Sequence, residues 1–141
     1  MPFQTDVFSK LIKHAIYPHA GDWENGVFAE AEDLNLPLEP AQAGPHEGTL
    51  PKAMSFLQVE GDNLQLAAFK QHEDRPDSYV VRLFNPTPKA VKGALKVARP
   101  IKAAWITNLN EERREELKVA GQTITLDVPH KKIVTIEFVL T

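Results

Sequence analysis

The residues with the plainest capacity for chemistry are five histidines and nineteen carboxylates. His14, His19 and Asp22 lie close in sequence, and His19 and Asp22 can face one another across the loop His19-Ala20-Gly21-Asp22-Trp23. A zinc site needs three or four converging ligands on rigid elements, so a metal centre on His14, His19 and Asp22 is one expectation. The plainer expectation is a loop held by side-chain-to-backbone hydrogen bonds from His19 and Asp22, with Trp23 packed beneath it. The helical zinc-protease pattern fails, because Gly48, Thr49 and Leu50 follow His46-Glu47 and the second histidine is missing. With no cysteine there is no thiolate nucleophile, disulfide framework or cysteine zinc site. Ser9, Ser55 and Ser78 lack the glycine-flanked elbow of a serine hydrolase.

Carboxylate pairs remain open for glycoside chemistry. The densest set is Glu111, Glu112, Glu115 and Glu116, interleaved with Arg113 and Arg114, and a run of that kind reads as a solvated face. Arg82 stands out because it sits inside the apolar run Tyr79–Asn85. An unpaired charge there is costly, so it should meet a carboxylate or reach an edge. Trp23 and Trp105 offer flat faces to a sugar ring, and core packing is the competing role, above all for Trp105 beside Ala103 and Ala104.

A net charge of −3 supplies no basic field for a phosphate backbone, so nucleic acid is not expected as a partner. No apolar stretch is long enough to span a bilayer, and Met1–Lys10 lacks the pattern of a signal peptide. The absence of cysteine fits a cytoplasmic protein.

The elements that must position these groups read as an all-β chain. Leu64–Lys70 and Tyr79–Asn85 form two strands around the charged loop His72–Asp77. The second is apolar on both faces and belongs near the centre of a sheet. Met54–Val59 should turn through Gly61-Asp62-Asn63 directly into Leu64–Lys70 as a hairpin. Ala90–Val97 alternates, with Val91, Leu95 and Val97 inward and Lys92 and Lys96 outward, and Ile101–Ile106 is a further strand. Asn108–Glu116 is a loop or edge. Leu117–Val119 and Ile124–Val128 flank a turn at Ala120-Gly121, and Ile133–Leu140 closes the chain. Val27–Leu34 is the one good helix, capped by Asn25 and stopped by Asn35 and Pro37, while Phe8–Tyr17 fits a strand or a helix. Pro37–Pro51 is a loop. About eight or nine short strands and one short N-terminal helix predict a single-domain antiparallel β-sandwich over residues 1–141.

An ordered series of short segments then resembles the C-terminal region of bacterial glycoside hydrolase family 38 enzymes, the α-mannosidases. It begins with Tyr17-Pro18-His19-Ala20-Gly21-Asp22-Trp23, then Ala31 and Asn35-x-Pro37-Leu38. It continues through Leu50-Pro51, Ser55-Phe56-Leu57, Phe69-Lys70 with Glu73, and Val81-Arg82-Leu83-Phe84-Asn85-Pro86. It ends with Asn108-Leu109-Asn110-Glu111-Glu112 and Ile133-Val134-Thr135-Ile136. One departure is His130-Lys131-Lys132-Ile133, where the family carries Pro-x-Glu-Ile.

The resemblance implies a non-catalytic C-terminal sandwich of a larger, retaining α-mannosidase. The nucleophilic aspartate and the zinc of such an enzyme belong to its catalytic domain, so neither a catalytic residue nor a cofactor is expected in this chain. The implied partners are the catalytic and preceding domains of the parent, with the mannoside reached through them. An isolated fragment is expected to expose an apolar face and self-associate. His19, Asp22, Trp23, Arg82 and Asn85 are carried as structural or cleft-lining candidates. Two other functions compete: a stand-alone carbohydrate-binding sandwich using Trp23 or Trp105, and a metal-dependent enzyme around His14, His19 and Asp22.

Overall fold

The computed structural model describes residues 14–141, and the packing of the chain divides it into two compact units, Met1–Leu38 and Glu39–Thr141. Most of the Phe8–Tyr17 segment lies outside the described residues, and His14–Tyr17 has no regular structure.

In the first unit the expected helix forms as α1, Val27–Asn35. Its cap differs from the expectation. Gly26 takes the N-cap position at φ 85° with no side-chain cap, while Asn25 donates from Nδ2 to the Ala20 carbonyl at 2.8 Å. Only glycine reaches that left-handed conformation without a Cβ clash, which displaces the cap by one residue.

The second unit is a β-sandwich. Its strands are β1 Leu57–Glu60, β2 Gln65–Gln71, β3 Ser78–Phe84, β4 Val91–Val97, β5 Ile101–Thr107, β6 Arg113–Leu117, β7 Val119–Ala120, β8 Thr123–Val128 and β9 Ile133–Leu140. A four-stranded sheet runs β1-β4-β8-β7 and a five-stranded sheet runs β2-β3-β9-β5-β6, every pairing antiparallel. The core lies between them. Val81, Leu83, Ala104, Ile136 and Phe138 of the larger sheet meet Leu95, Val97, Ile124, Leu126 and Val128 of the smaller. Strict alternation in β4 and β8 delivers those residues to one face, as a period of two requires.

Two expectations sharpen and one changes. The charge run, expected as a loop or edge, yields an edge strand, β6, over Arg113–Leu117. β3 is an interior strand as expected, and β9 beside it is the central one. The hairpin ahead of β2 is absent, because β1 pairs with β4 and β2 with β3, in different sheets. The sequence pattern is silent on this, since a Gly-Asp-Asn turn serves a crossing between sheets as well as a hairpin.

The crossing depends on two glycines. A Cβ built on Gly61, at φ 140°, would stand 3.2 Å from the Gly93 backbone. One on Gly93 would meet Leu64 Cδ2 at 2.6 Å and the Glu60 carbonyl at 2.7 Å. The carbonyl cannot retreat without breaking the β1–β4 ladder. Gly93→Ala should therefore destabilise the sandwich by about 1–3 kcal/mol, the usual range for overpacking, read as a lower urea midpoint at unchanged slope.

Candidate functional site

The strongest concentration of polar chemistry lies on the outer face of the five-stranded sheet, away from the core. Register places Val80, Glu137, Trp105 and Glu116 in one row across β3, β9, β5 and β6, with Arg82, Thr135, Thr107 and Arg113 in the next. Glu137 has no solvent exposure. Two arginines clamp it. Arg75, from the β2–β3 loop, donates from Nε and Nη2 to Oε1 and Oε2, each at 2.8 Å. Arg113, from β6, donates from Nε to Oε2 at 2.9 Å and from Nη2 to Oε1 at 2.6 Å. Both forks are bidentate, the geometry that makes guanidinium–carboxylate pairs strong. The Arg113 guanidinium also lies 3.6 Å from the centre of the Trp105 ring.

Burial alone would raise the pKa of Glu137. The hydrogen bonds from Arg113, Arg75 and Ser78, with the charge of Arg113, outweigh burial and hold it at about 2 against an ordinary 4.5. The same hydrogen bond to Glu137 raises the pKa of Arg113. Glu137 is thus a fixed anion, unsuited to deliver a proton near neutrality.

A second layer braces the clamp. Buried His72 accepts the Asp74 N–H at Nδ1, 3.1 Å away, and its Nε2 stands 2.5 Å from Arg75 Nη2, with the Glu111 carbonyl at 3.5 Å and Oε2 at 3.7 Å. Lys70 Nζ pairs with Glu111 Oε1 at 2.7 Å, and Arg75 Nη2 donates to the Glu111 carbonyl at 3.0 Å. Glu111 sits at φ 64°, where a non-glycine residue is strained. Its contacts, and an Asn108–Glu112 turn closed by Asn108 Oδ1 on the Glu112 N–H at 2.9 Å, hold it there.

Each residue singled out in the sequence has a definite place. Arg82 lies on this face but has no carboxylate partner among the described residues. Its Nε donates to Thr135 Oγ1 at 3.3 Å and its Nη2 to the Leu109 carbonyl at 3.5 Å. Asn85 is buried and ties loops together: Nδ2 reaches the Lys89, Val128 and Pro129 carbonyls at 2.7, 3.2 and 3.1 Å, and Oδ1 accepts from Thr87 N and Oγ1. Trp105 is not in the inter-sheet core, since it shares the outer face with Glu137, and Arg113 covers its ring.

His19, Asp22 and Trp23 belong to the first unit. His19 stacks on Tyr17, Asp22 Oδ1 accepts the Glu24 N–H at 3.1 Å, and Trp23 stands exposed, edge-on to Phe28. Asp22 therefore makes the expected backbone bond, while His19 stacks instead and Trp23 is not packed beneath the loop. No three metal-ligating side chains converge among the described residues, so His14, His19 and Asp22 do not form a metal centre. Sequence reasoning missed Glu137, Arg75, Arg113, His72 and Glu111. Glu137 carried the same signal as Arg82, a lone charge inside an apolar strand, Ile133–Leu140.

Replacing the fixed anion tests this geometry. A carboxyl whose pKa is depressed on folding contributes stability that is complete above its unfolded value and lost as pH falls toward the folded one. For Glu137 the window runs from 4.5 down to about 2. Glu137→Gln should cost on the order of 2–3 kcal/mol at pH 7. It should also flatten the acid limb of stability against pH across that window, as read by urea titrations at successive pH values. Asn85→Ala should cost about 2–3 kcal/mol at all pH values, because several buried partners lose their hydrogen bonds at once.

The sequence profile of a family described as the glycosyl hydrolases family 38 C-terminal beta sandwich domain matches residues 63–136, which span β2 to the middle of β9. No curated protein matches the chain.

Proposed function

We infer the role of the domain from one premise: the chain belongs to the family of glycosyl hydrolase family 38 C-terminal β-sandwich domains. On that premise it is a non-catalytic part of a larger retaining α-mannosidase-type glycosidase, and it supports the catalytic domain by packing against it. The single observation that carries this reading is the family match across more than half of the chain.

The chemistry of the outer face supports it. The best-placed carboxylate, Glu137, is neutralised by two arginines and cannot act as acid or nucleophile while they hold it. Zinc, which the parental reaction needs by resemblance, does not fit the described residues, among which no cluster of three ligating side chains exists. It would be held elsewhere in the parent. Phe56, Phe69, Leu109 and Ile133 stand exposed, as suits surfaces that a neighbouring domain covers or that meet one another in an isolated copy. A cytoplasmic location is part of the proposal; no helix among the described residues is long and apolar enough to cross a membrane.

The decisive comparison assays the chain and its full-length parent together on an aryl α-mannoside. The parent should turn over the substrate and the chain alone should not. A parent from which residues 39–141 are deleted should lose activity together with thermal stability. Hydrolysis by the isolated chain, or an unaffected truncated parent, would sink the reading.

A further inference from the structure

Asn25 is the one asparagine of this chain that precedes a glycine; Asn35, Asn63, Asn85, Asn108 and Asn110 are followed by leucine, proline or glutamate. It sits in the turn that leads into α1, with Gly26 at the N-cap. Two hydrogen bonds hold its amide and the next backbone nitrogen apart. Asn25 Nδ2 donates to the Ala20 carbonyl at 2.8 Å, and the Gly26 N–H donates to the Glu24 carbonyl at 3.2 Å. Asn25 and Gly26 are both exposed, and no residue of α1 is buried. The turn therefore opens without loss of core packing, at the low end of local stabilities. Gly26 has no side chain to shield its nitrogen, and a Cβ built on it would find nothing closer than the Tyr17 hydroxyl at 3.9 Å.

We propose that Asn25-Gly26 is a spontaneous modification site, where water converts the asparagine amide to a carboxylate through a cyclic imide. When the turn opens, the Gly26 nitrogen gives its proton to hydroxide and attacks Asn25 Cγ. A bond from that nitrogen to Cγ forms, the bond from Cγ to Nδ2 breaks, and Nδ2 leaves as ammonia. Water then adds to the imide. Addition at Cγ restores the chain as aspartate. Addition at the main-chain carbonyl carbon leaves the chain running through the side chain, as isoaspartate. Nothing is oxidised or reduced. Both products lose Nδ2, the donor that ties Asn25 to Ala20, and a carboxylate only accepts hydrogen bonds. The new acid also joins Asp22 and Glu24 in the same turn. The modification therefore unties the loop that carries Asp22 and Trp23. Isoaspartate, in addition, lengthens the backbone one residue ahead of the α1 N-cap.

Peptide mapping by mass spectrometry tests this on the whole folded chain, held at mildly alkaline pH and sampled over time. Asn25 should gain both an aspartate and an isoaspartate form, at least tenfold faster than any other asparagine. Hydroxylamine, which opens cyclic imides, should cleave the aged chain between Asn25 and Gly26. Gly26→Ala should slow the reaction at least tenfold, because a Cβ shields the attacking nitrogen. An alanine at φ 85° is strained and can disorder the turn. The same comparison is therefore repeated in urea, where the variant should still react at least tenfold more slowly than the unaltered chain. In amide NMR spectra, Asn25→Asp should shift the Gly21 signal, which reports on the Ala20 carbonyl. Aspartate without isoaspartate, modification confined to the urea-unfolded chain, equal rates at the other asparagines, or an unmoved Gly21 signal would each overturn the proposal.

Discussion

A carboxylate without access to water, in the middle strand of the larger sheet, sets the terms for everything around it. An isolated buried charge carries a desolvation penalty of several kcal/mol, which only well-formed pairing offsets. Glu137 meets that condition with four guanidinium hydrogen bonds from two arginines. The arginines arrive from opposite sides: one on the β2–β3 loop, the other on the edge strand β6. The loop must therefore fold back over the sheet, and His72 accepting the Asp74 N–H is part of how it does so. β6 must hold register against β5 despite a sequence of mostly charged residues, and the stacking of Arg113 on Trp105 gives that register a reason.

Much of the sandwich was legible because its code is local. Alternation in Ala90–Val97 and Ile124–Val128 predicted which side chains face inward, and the structure buries Val91, Leu95, Val97, Ile124, Leu126 and Val128. Pairing was not local. The turn at Gly61–Asn63 joins different sheets, and only the approach of Gly61 to Gly93, 32 positions apart in the chain, explains the crossing. The candidate site was least legible for the same reason. Glu137 and Arg75 are 62 residues apart, and Glu111 meets His72 from a distance of 39. Arg82 drew attention as a lone charge in an apolar strand; Glu137 sat in an equivalent context and its partners were hidden in what looked like solvated charge.

Pairing that stabilises Glu137 also removes it from chemistry. A catalytic carboxylate needs a pKa near the working pH, and two arginines drive this one far below it. Asn85 follows the same logic, with its amide committed to carbonyls that fasten the β3–β4 connection to the β8–β9 turn. The charged residues at the centre of the outer face are committed to one another. A domain built this way holds a fixed shape on its outer face.

The open side of the sandwich follows from how the chain changes sheets. Between β6 and β7 there is a single residue, Lys118, so the chain leaves one sheet and enters the other almost at once. The two edges are thus forced together at Leu117–Val119. Away from that point β6 continues along β5 while β8 continues along β4, and no strand among the described residues bridges them. A longer β7 would extend along β8 and fill the gap; two residues cannot. The gap of about 580 Å³ between these edges is therefore a consequence of connectivity, since the single residue between β6 and β7 fixes where the two sheets meet.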